Sequence, residues 1–390
     1  MDYLNNARVI QPELVNIQHY LHENAEIGFD LPLTVKCVTD NLTEYGLKPK
    51  IIGNNSVVAT IGKPGKTILL RADMDALPIM EETGLPYASK NGHMHACGHD
   101  FHTTILLGAA KLLKQAEDEL NGTVKLFFQP AEETIKGCQD ALDNGLMEDP
   151  KVDAALALHT AGGKKGEADI VVKRGTTQAS CDHYRIFIQG KGSHGASPHN
   201  AIDPIVTGCH MVLALQNITA REINTQKPVV QTICKFAGGS AVNIIPENVE
   251  LLGTLRALDA EVRQIAKKRV AEIVDLTART FNADAKLEWL ASAPTVTNDD
   301  KMADAVIKYV TETKGITYKE SAEIGMGSED FALIMDLVPG AYISLICVGD
   351  EDGRHPNGHG PFIIYDDSRL YIGAAAMAAT AAGWLRDARG

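Results

Sequence analysis

Apolar positions return along this chain in two rhythms. Over residues 12–22 and 33–46 they recur every three to four places, which predicts two helices with one buried face each. Short apolar runs then alternate with helical stretches. Residues 56–61, 67–74, 124–128 and 154–159 read as strands, and 103–113 as an apolar-rich helix. Continuous apolar runs separated by helices are what a buried, largely parallel sheet requires.

Near residue 180 the rhythm changes. Residues 184–189 alternate as a strand, 201–220 read as a helix, and 229–236 and 249–256 as strands. A helix over 259–281 puts Val262, Ala266, Val270 and Ile273 on one face, and 285–290 read as a further strand. The order β-α-β-β-α-β is that of the ferredoxin-like motif. After about residue 294 the first pattern returns, with helices at 300–313 and 330–337 and a strand at 341–348. The expected fold class is α/β, a sheet with helices on both faces, carrying an inserted ferredoxin-like α+β domain. The expected domains are 1–180 with 294–390, and 181–293 as the insert. A chain of 390 residues is long for one core, which agrees.

Charge narrows the partners. With 37 basic against 50 acidic side chains the net charge is −13, which argues against nucleic acid and anionic membranes. Residues 370–385 are mostly Ala and Gly, too few and too weakly apolar to span a bilayer, and read as a helix packed closely on a sheet. The first residues lack the basic start and apolar run of a signal peptide. Seven scattered cysteines do not form a disulfide framework. They predict a cytoplasmic protein whose thiols are mostly buried.

Two short segments carry the chemistry. Residues 93–102 place four histidines (His93, His95, His99, His102), Cys97 and Asp100 within ten positions. Residues 127–133 end an apolar run on adjacent Glu132 and Glu133. Sulfur, nitrogen and oxygen donors together suit a divalent transition metal such as zinc or manganese. A carboxylate beside a metal also accepts a proton from bound water, which points to metal-dependent hydrolysis.

Strand ends in open parallel sheets are where ligands bind. Asp73 and Asp75 end one predicted strand, His159 closes another, and Cys97 and His99 sit in a loop before a helix. Glu329 and Asp330 lie in a Gly-rich loop, and His355 and His359 follow the last strand. Singly, each has a plainer role as a core histidine, a surface acid or, for Asp100, a helix cap. Convergence on one edge favours a metal site. Residues 190–195 spell G-x-G-x-x-G, but Pro198 and Pro204 follow, so no helix opens at once as a dinucleotide site requires. No G-x-S-x-G elbow is present, so a serine hydrolase is not expected.

Eight ordered stretches, RADMDALPI, HACGHD, FQPAEE, the strand ending in His159, GKGSHGASPH, NIIPENVELLGTLRA, GSEDF and HGPF, run from Arg71 to Phe362. Together they resemble the aminoacylase and carboxypeptidase superfamily of co-catalytic metallopeptidases. The resemblance is closest to the branch of hippurate hydrolases, N-acetyl-diaminopimelate deacetylases and auxin-conjugate amidohydrolases. It implies a metallopeptidase-type sheet and two divalent metals per subunit, zinc or manganese with nickel or cobalt also compatible. The implied ligands are Cys97, His99, Glu133, His159 and His359, with the thiolate bridging. It implies Glu132 as general base, His194 as oxyanion donor in cis or across a dimer, and Asn243 and Arg256 facing the substrate, with Asp75 then orienting a ligand. Glu329 is expected as a support on its position alone. Asp73 stands where other branches carry a ligand and is not counted as one.

The implied activity is hydrolysis of N-acyl-L-amino acids by a homodimer joined through the inserted dimerisation and lid domain. A dipeptidase or carboxypeptidase with the same centre is the nearest alternative, and an inactive metal-dependent binding protein a remote one. The chain departs from the branch at residues 134–138, at 160–165, and at Gly195 and Ser197. All three places border the expected pocket and bear on substrate choice.

Overall fold

The computed structural model describes residues 1–163, 166–349 and 359–388. These form two compact units. One holds Met1–Thr177, Thr297–Glu323 and Asp330–Gly390, and the other Gln178–Val296 and Ile324–Glu329. The second unit thus takes in a short segment that, in sequence, lies within the returning α/β pattern.

The first unit is built on an eight-stranded sheet. Its strands are β1 (Lys50–Ile52), β2 (Ser56–Gly62), β3 (Lys66–Asp73), β4 (Gly122–Gln129), β5 (Ala154–Gly163), β6 (Ile170–Val172), β7 (Tyr318–Glu320) and β8 (Gly340–Gly349). Their spatial order is β1-β2-β4-β3-β5-β8-β6-β7. The central pairs β4-β3, β3-β5 and β5-β8 are parallel, whereas β1-β2, β2-β4 and β8-β6 are antiparallel. Central strands are apolar on both faces because helices cover them. β3 is buried from Thr67 to Asp73, and β4 along its whole length.

Helix α1 (Tyr3–Glu23), helix α2 (Pro32–Glu44) and helix α3 (His99–Gln115) share one core with the strands. The Ala-rich segment forms a helix, Leu370–Asp387, whose small side chains let it pack closely in the same core. No helix among the described residues is long and apolar enough to cross a membrane.

Helix α3 begins four residues earlier than its apolar pattern. Gly98 precedes it in the left-handed region at φ 81°, and His99 stands in its first turn. The expectation that Cys97 and His99 both sit in the loop before the helix is corrected accordingly: Cys97 lies in the turn and His99 opens the helix. A Cβ on Gly98 would come within 2.7 Å of Thr160 Oγ1, so both backbone angle and space require glycine there.

The second unit has four antiparallel strands, Val229–Ala237, Asn248–Ala257, Cys181–Gln189 and Asp284–Ala293, in that spatial order. Helices Pro204–Asn217 and Ala260–Thr280 pack with it. The first and third strands of the motif lie at the centre, the arrangement of a split βαβ fold. Seven free cysteines are present, of which Cys138, Cys181 and Cys347 are buried and Cys209 and Cys234 exposed. The expectation of mostly buried thiols therefore holds for only part of them.

Candidate metal centre

Strand β3 ends on Asp73, and Asp75 follows two residues later. Both are fully or almost fully buried, and each is fixed differently. Asp73 accepts from Arg71 Nη1 at 2.7 Å and from His102 Nδ1 at 2.6 Å. His102 Nε2 in turn accepts the Thr160 backbone N–H at 2.8 Å, so this imidazole is the neutral Nδ1–H tautomer. Burial, opposed by Asp73, pushes its pKa down to about 3. Arg71 also donates to Gln129 and Asp330, and Asp330 accepts from Gln129 Nε2 at 2.6 Å and the Cys138 N–H at 3.0 Å. Asp73 is thus held by these partners, and it also lies 3.7 Å from His99 Nε2, in a group with His99 and His102 that could hold an ion.

Asp75 accepts the backbone N–H of Glu132 at 3.0 Å and of Glu133 at 3.2 Å. Its Oδ1 also lies 3.5 Å from His99 Nδ1. One carboxylate therefore holds the tip of the turn after β4 and faces the imidazole on α3. That turn closes tightly. Ala131 takes φ 55° and its N–H bonds Gly28 O, and a Cβ on Gly137 would fall 1.6 Å from Pro130 O. Ile135 adopts φ 56°, unusual for a β-branched residue.

Around this turn the ligand-type atoms converge. Cys97 Sγ lies 3.5 Å from His159 Nε2. His99 Nε2 is 3.9 Å from Glu133 Oε1 and 4.0 Å from Glu132 Oε2. His359 Nε2 is 3.6 Å from Glu133 Oε1. Cys97, His99 and His159 each offer an atom within 4.8 Å of one another, as do Cys97, Glu133 and His359, and His99, Glu132 and Glu133. Two such groups share Cys97, the geometry a bridging thiolate would need. His159 Nδ1 donates to Thr160 O at 2.7 Å, which leaves Nε2 as the lone-pair nitrogen toward the site.

The cluster is poised for cations. Both ring nitrogens of buried His99 and Oε1 of Glu133 lack any hydrogen-bond partner. Leaving such atoms unsatisfied costs about 1–3 kcal/mol each. A coordinated ion would satisfy one His99 nitrogen and the Glu133 oxygen, with the other His99 nitrogen facing Asp75. Burial raises the Cys97 thiol pKa, but His99 and His159 outweigh it and hold the thiol well below its usual range. Burial opposes the His99 imidazolium, yet Asp73 and the Cys97 thiolate keep its pKa well above the ordinary value. His159 is held up at about 9 against burial, chiefly by Cys97. Burial and then Cys97 push Glu133 up to about 7. Protons thus occupy the places metal ions would take, and the residues fit two divalent ions.

The remaining candidates lie in the second unit. His194 is exposed on a short strand, Ser193–His194, paired with Ile244–Ile245. Its Nδ1 accepts the Ala196 N–H at 3.1 Å, so Nε2 carries the donor proton. Asn243 is exposed, and its carbonyl accepts the Gly195 N–H. Arg256 donates to Met326 O at 2.9 Å and Ser328 Oγ at 3.3 Å, which ties it to the Gly-rich loop. Glu329 ends that loop and is 2% exposed. After Pro198 and Pro204, the helix behind the G-x-G-x-x-G stretch starts only at Pro204. His355 and Lys164–Lys165 lie outside the described residues.

Sequence reasoning gave no part in the centre to Arg71 or Thr160, and it named His102 and Asp330 among the candidates without assigning either a role. His102 carried a signal through its place three residues after His99.

Known proteins and a solved structure resemble this chain over most of its length. N-acetyl-L-cysteine deacetylase of Bacillus subtilis (strain 168) is 36% identical over 360 residues, covering 90% of this chain and 84% of that protein. Hippurate hydrolase of Campylobacter jejuni is 36% identical over 387 residues, covering 97% and 98%. The crystal structure of the Bacillus subtilis YXEP protein, a dinuclear metal binding peptidase, aligns with a TM-score of 0.79 at 32% identity, covering 97% of this chain and 99% of that one. The profile of peptidase family M20/M25/M40 matches residues 69–383. With a match over that much of its length, and a site whose donors fit two divalent ions, the chain belongs to peptidase family M20/M25/M40.

Proposed function

We propose that the chain hydrolyses the amide bond of N-acyl amino acids, with two divalent ions held by Cys97, His99, Glu133, His159 and His359. One observation carries the reading: a thiol, three imidazoles and a carboxylate converge with buried nitrogen and oxygen atoms left unsatisfied, beside a second carboxylate. The names of the deacetylase and hippurate hydrolase relatives support the substrate class. Mixed sulfur, nitrogen and oxygen donors suit zinc or manganese.

The ions, when bound, would supply Lewis acidity and make a water more acidic. Glu132 would accept a proton from the water that attacks the amide carbonyl. It then returns the proton to the leaving amine, which is too basic to depart unprotonated. Asp75 serves this division of labour by holding both Glu132 and Glu133 N–H groups, so that one carboxylate binds and its neighbour shuttles protons. Glu329 is assigned a supporting role. His194 is assigned the oxyanion, for which its Nε2–H is available. Asn243 and Arg256 are assigned to the substrate, Arg256 for its carboxylate.

The second unit is assigned to dimerisation and closure. Strand Val229–Ala237 is a sheet edge with Val230 and Phe236 exposed, and Leu213 on helix Pro204–Asn217 is 70% exposed. A second copy of the chain would cover this surface. Seven unpaired thiols support a cytoplasmic location.

The test is incubation of the metal-analysed protein with N-acetyl and N-benzoyl amino acids and unblocked dipeptides, with and without zinc or manganese. Chelator-sensitive release of amino acid from the blocked compounds is the expected result. Turnover confined to dipeptides would turn the reading toward a peptidase.

A further inference from the structure

Away from the ligand set, the first unit buries a histidine whose two ring nitrogens both face acids. His22, near the end of α1, is 3% exposed. Its Nδ1 lies 2.8 Å from Asp100 Oδ2 and its Nε2 3.2 Å from Glu81 Oε1. An ionised carboxylate only accepts, so both nitrogens carry protons and the ring is an imidazolium.

Each acid leads toward a different part of the metal centre. Asp100 follows His99 in the first turn of α3, accepts Gln18 Nε2 at 2.6 Å, and takes the Phe101 N–H at 3.0 Å. Glu81 accepts the Ser89 N–H at 2.7 Å in the segment between β3 and α3. The next residue in that segment, Glu82, donates its N–H to Pro361 O at 2.9 Å, two residues beyond His359. Among the described residues, the turn bearing His359 is also tied by its own N–H to Ala96 O at 3.2 Å. One buried cation therefore joins the base of His99 to the strap that holds His359.

We propose that His22 is a positioning residue for the two-ion centre, its bridge between Asp100 and Glu81 setting the separation of His99 from His359. This rests on the reading of those two residues as ligands. Without the bridge, two buried carboxylates face each other and the strap loses its anchor. The His359 side of the centre then loosens, while Cys97, His99 and His159 keep their places. Supports of this kind are worth about 10–100-fold in metal affinity when removed.

The experiment is cobalt titration of the metal-free protein, followed by thiolate-to-cobalt absorption and by bound metal per chain. Wild type should take up two ions. His22→Phe should bind the first ion as wild type does and the second about 10–100-fold more weakly. Lys125→Met, a buried change elsewhere in the same unit, should lower stability without that selective loss. Equal second-ion affinity in His22→Phe and wild type would overturn the inference. Uptake of fewer than two ions by wild type would instead overturn the two-ion reading beneath it. Should His22→Phe fail to fold, Glu81→Gln removes the second contact of the bridge with a near-isosteric side chain. It should show the same selective weakening, and unaltered second-ion binding there would equally refute the proposal.

Discussion

At the scale of single residues, the proposed centre divides roles between near-identical groups. Glu132 and Glu133 are neighbours in sequence, yet their N–H groups are pinned by the two oxygens of Asp75. Glu132→Ala is expected to retain both metals, by metal analysis, and to lose about 10²–10⁴-fold in turnover. Loss of metal in that variant would exchange the roles of the two glutamates.

Protonation gives a second expectation. His159 is raised to about 9 and Glu133 to about 7 in the metal-free chain. Metal uptake at pH 7 should therefore release more than one proton per chain, measurable by calorimetry in buffers of different ionisation enthalpy. The same shifts fix a sign for stability. Both folded pKa values lie above the unfolded ones, so the stabilisation is complete below the unfolded values and fades as pH rises through the folded ones. Unfolding midpoints of the metal-free protein should fall between about pH 6.5 and 9. Bound metal should flatten that fall.

The proposed ligand residues were legible as residue types gathered at strand ends. The roles of Arg71, Thr160 and Asp330 were not, because they lie in hydrogen bonds to residues far away in sequence. Gln129 bonds Asp330 across 201 positions, and no local pattern records that.

At the scale of elements, the central strands could be read directly, since continuous apolar runs admit few alternatives. The three-residue strands β1, β6 and β7 could not, because so short a segment carries no periodicity. The start of α3 was hidden by its polar first turn, where His99, Asp100 and His102 face partners in the interior instead of water. Gly98→Ala tests that turn. It should cost about 1–2 kcal/mol through the left-handed angle alone, more through the clash with Thr160, and weaken metal binding with it.

Strand β4 holds a further surprise for a hydrophobic run. Lys125 is 4% exposed, and its ammonium sits among the carbonyls of Leu146, Glu148 and Pro150 at 2.8, 2.6 and 2.9 Å. Burial pushes its pKa down to about 8. Lys125→Met strands three carbonyls and should destabilise the unit by about 3 kcal/mol, read from the urea midpoint.

At the scale of the whole molecule, the two rhythms of the sequence correspond to two sheets with different rules. One is buried on both faces by helices, and the other is antiparallel with one face in water. The exposed edge Val229–Ala237 and Leu213 bear on assembly. The double substitution Leu213→Asp with Phe236→Asp should shift the sedimentation coefficient from dimer to monomer. Metal content should not change, because the proposed ligands all belong to the first unit.

Strand order also has a consequence for synthesis. β8 lies between β5 and β6, yet it begins only at Gly340, after the whole of Gln178–Val296 has been made. A ribosome adding about 5–20 residues each second completes all four strands of the inserted sheet while β5 still has an open edge. During that interval Cys97, His99, Glu133 and His159 have left the ribosome without His359. A nascent chain stalled there would expose the open edge of β5 next to a half-assembled set of proposed metal donors. Its safe passage depends on how quickly the strand that begins at Gly340 follows.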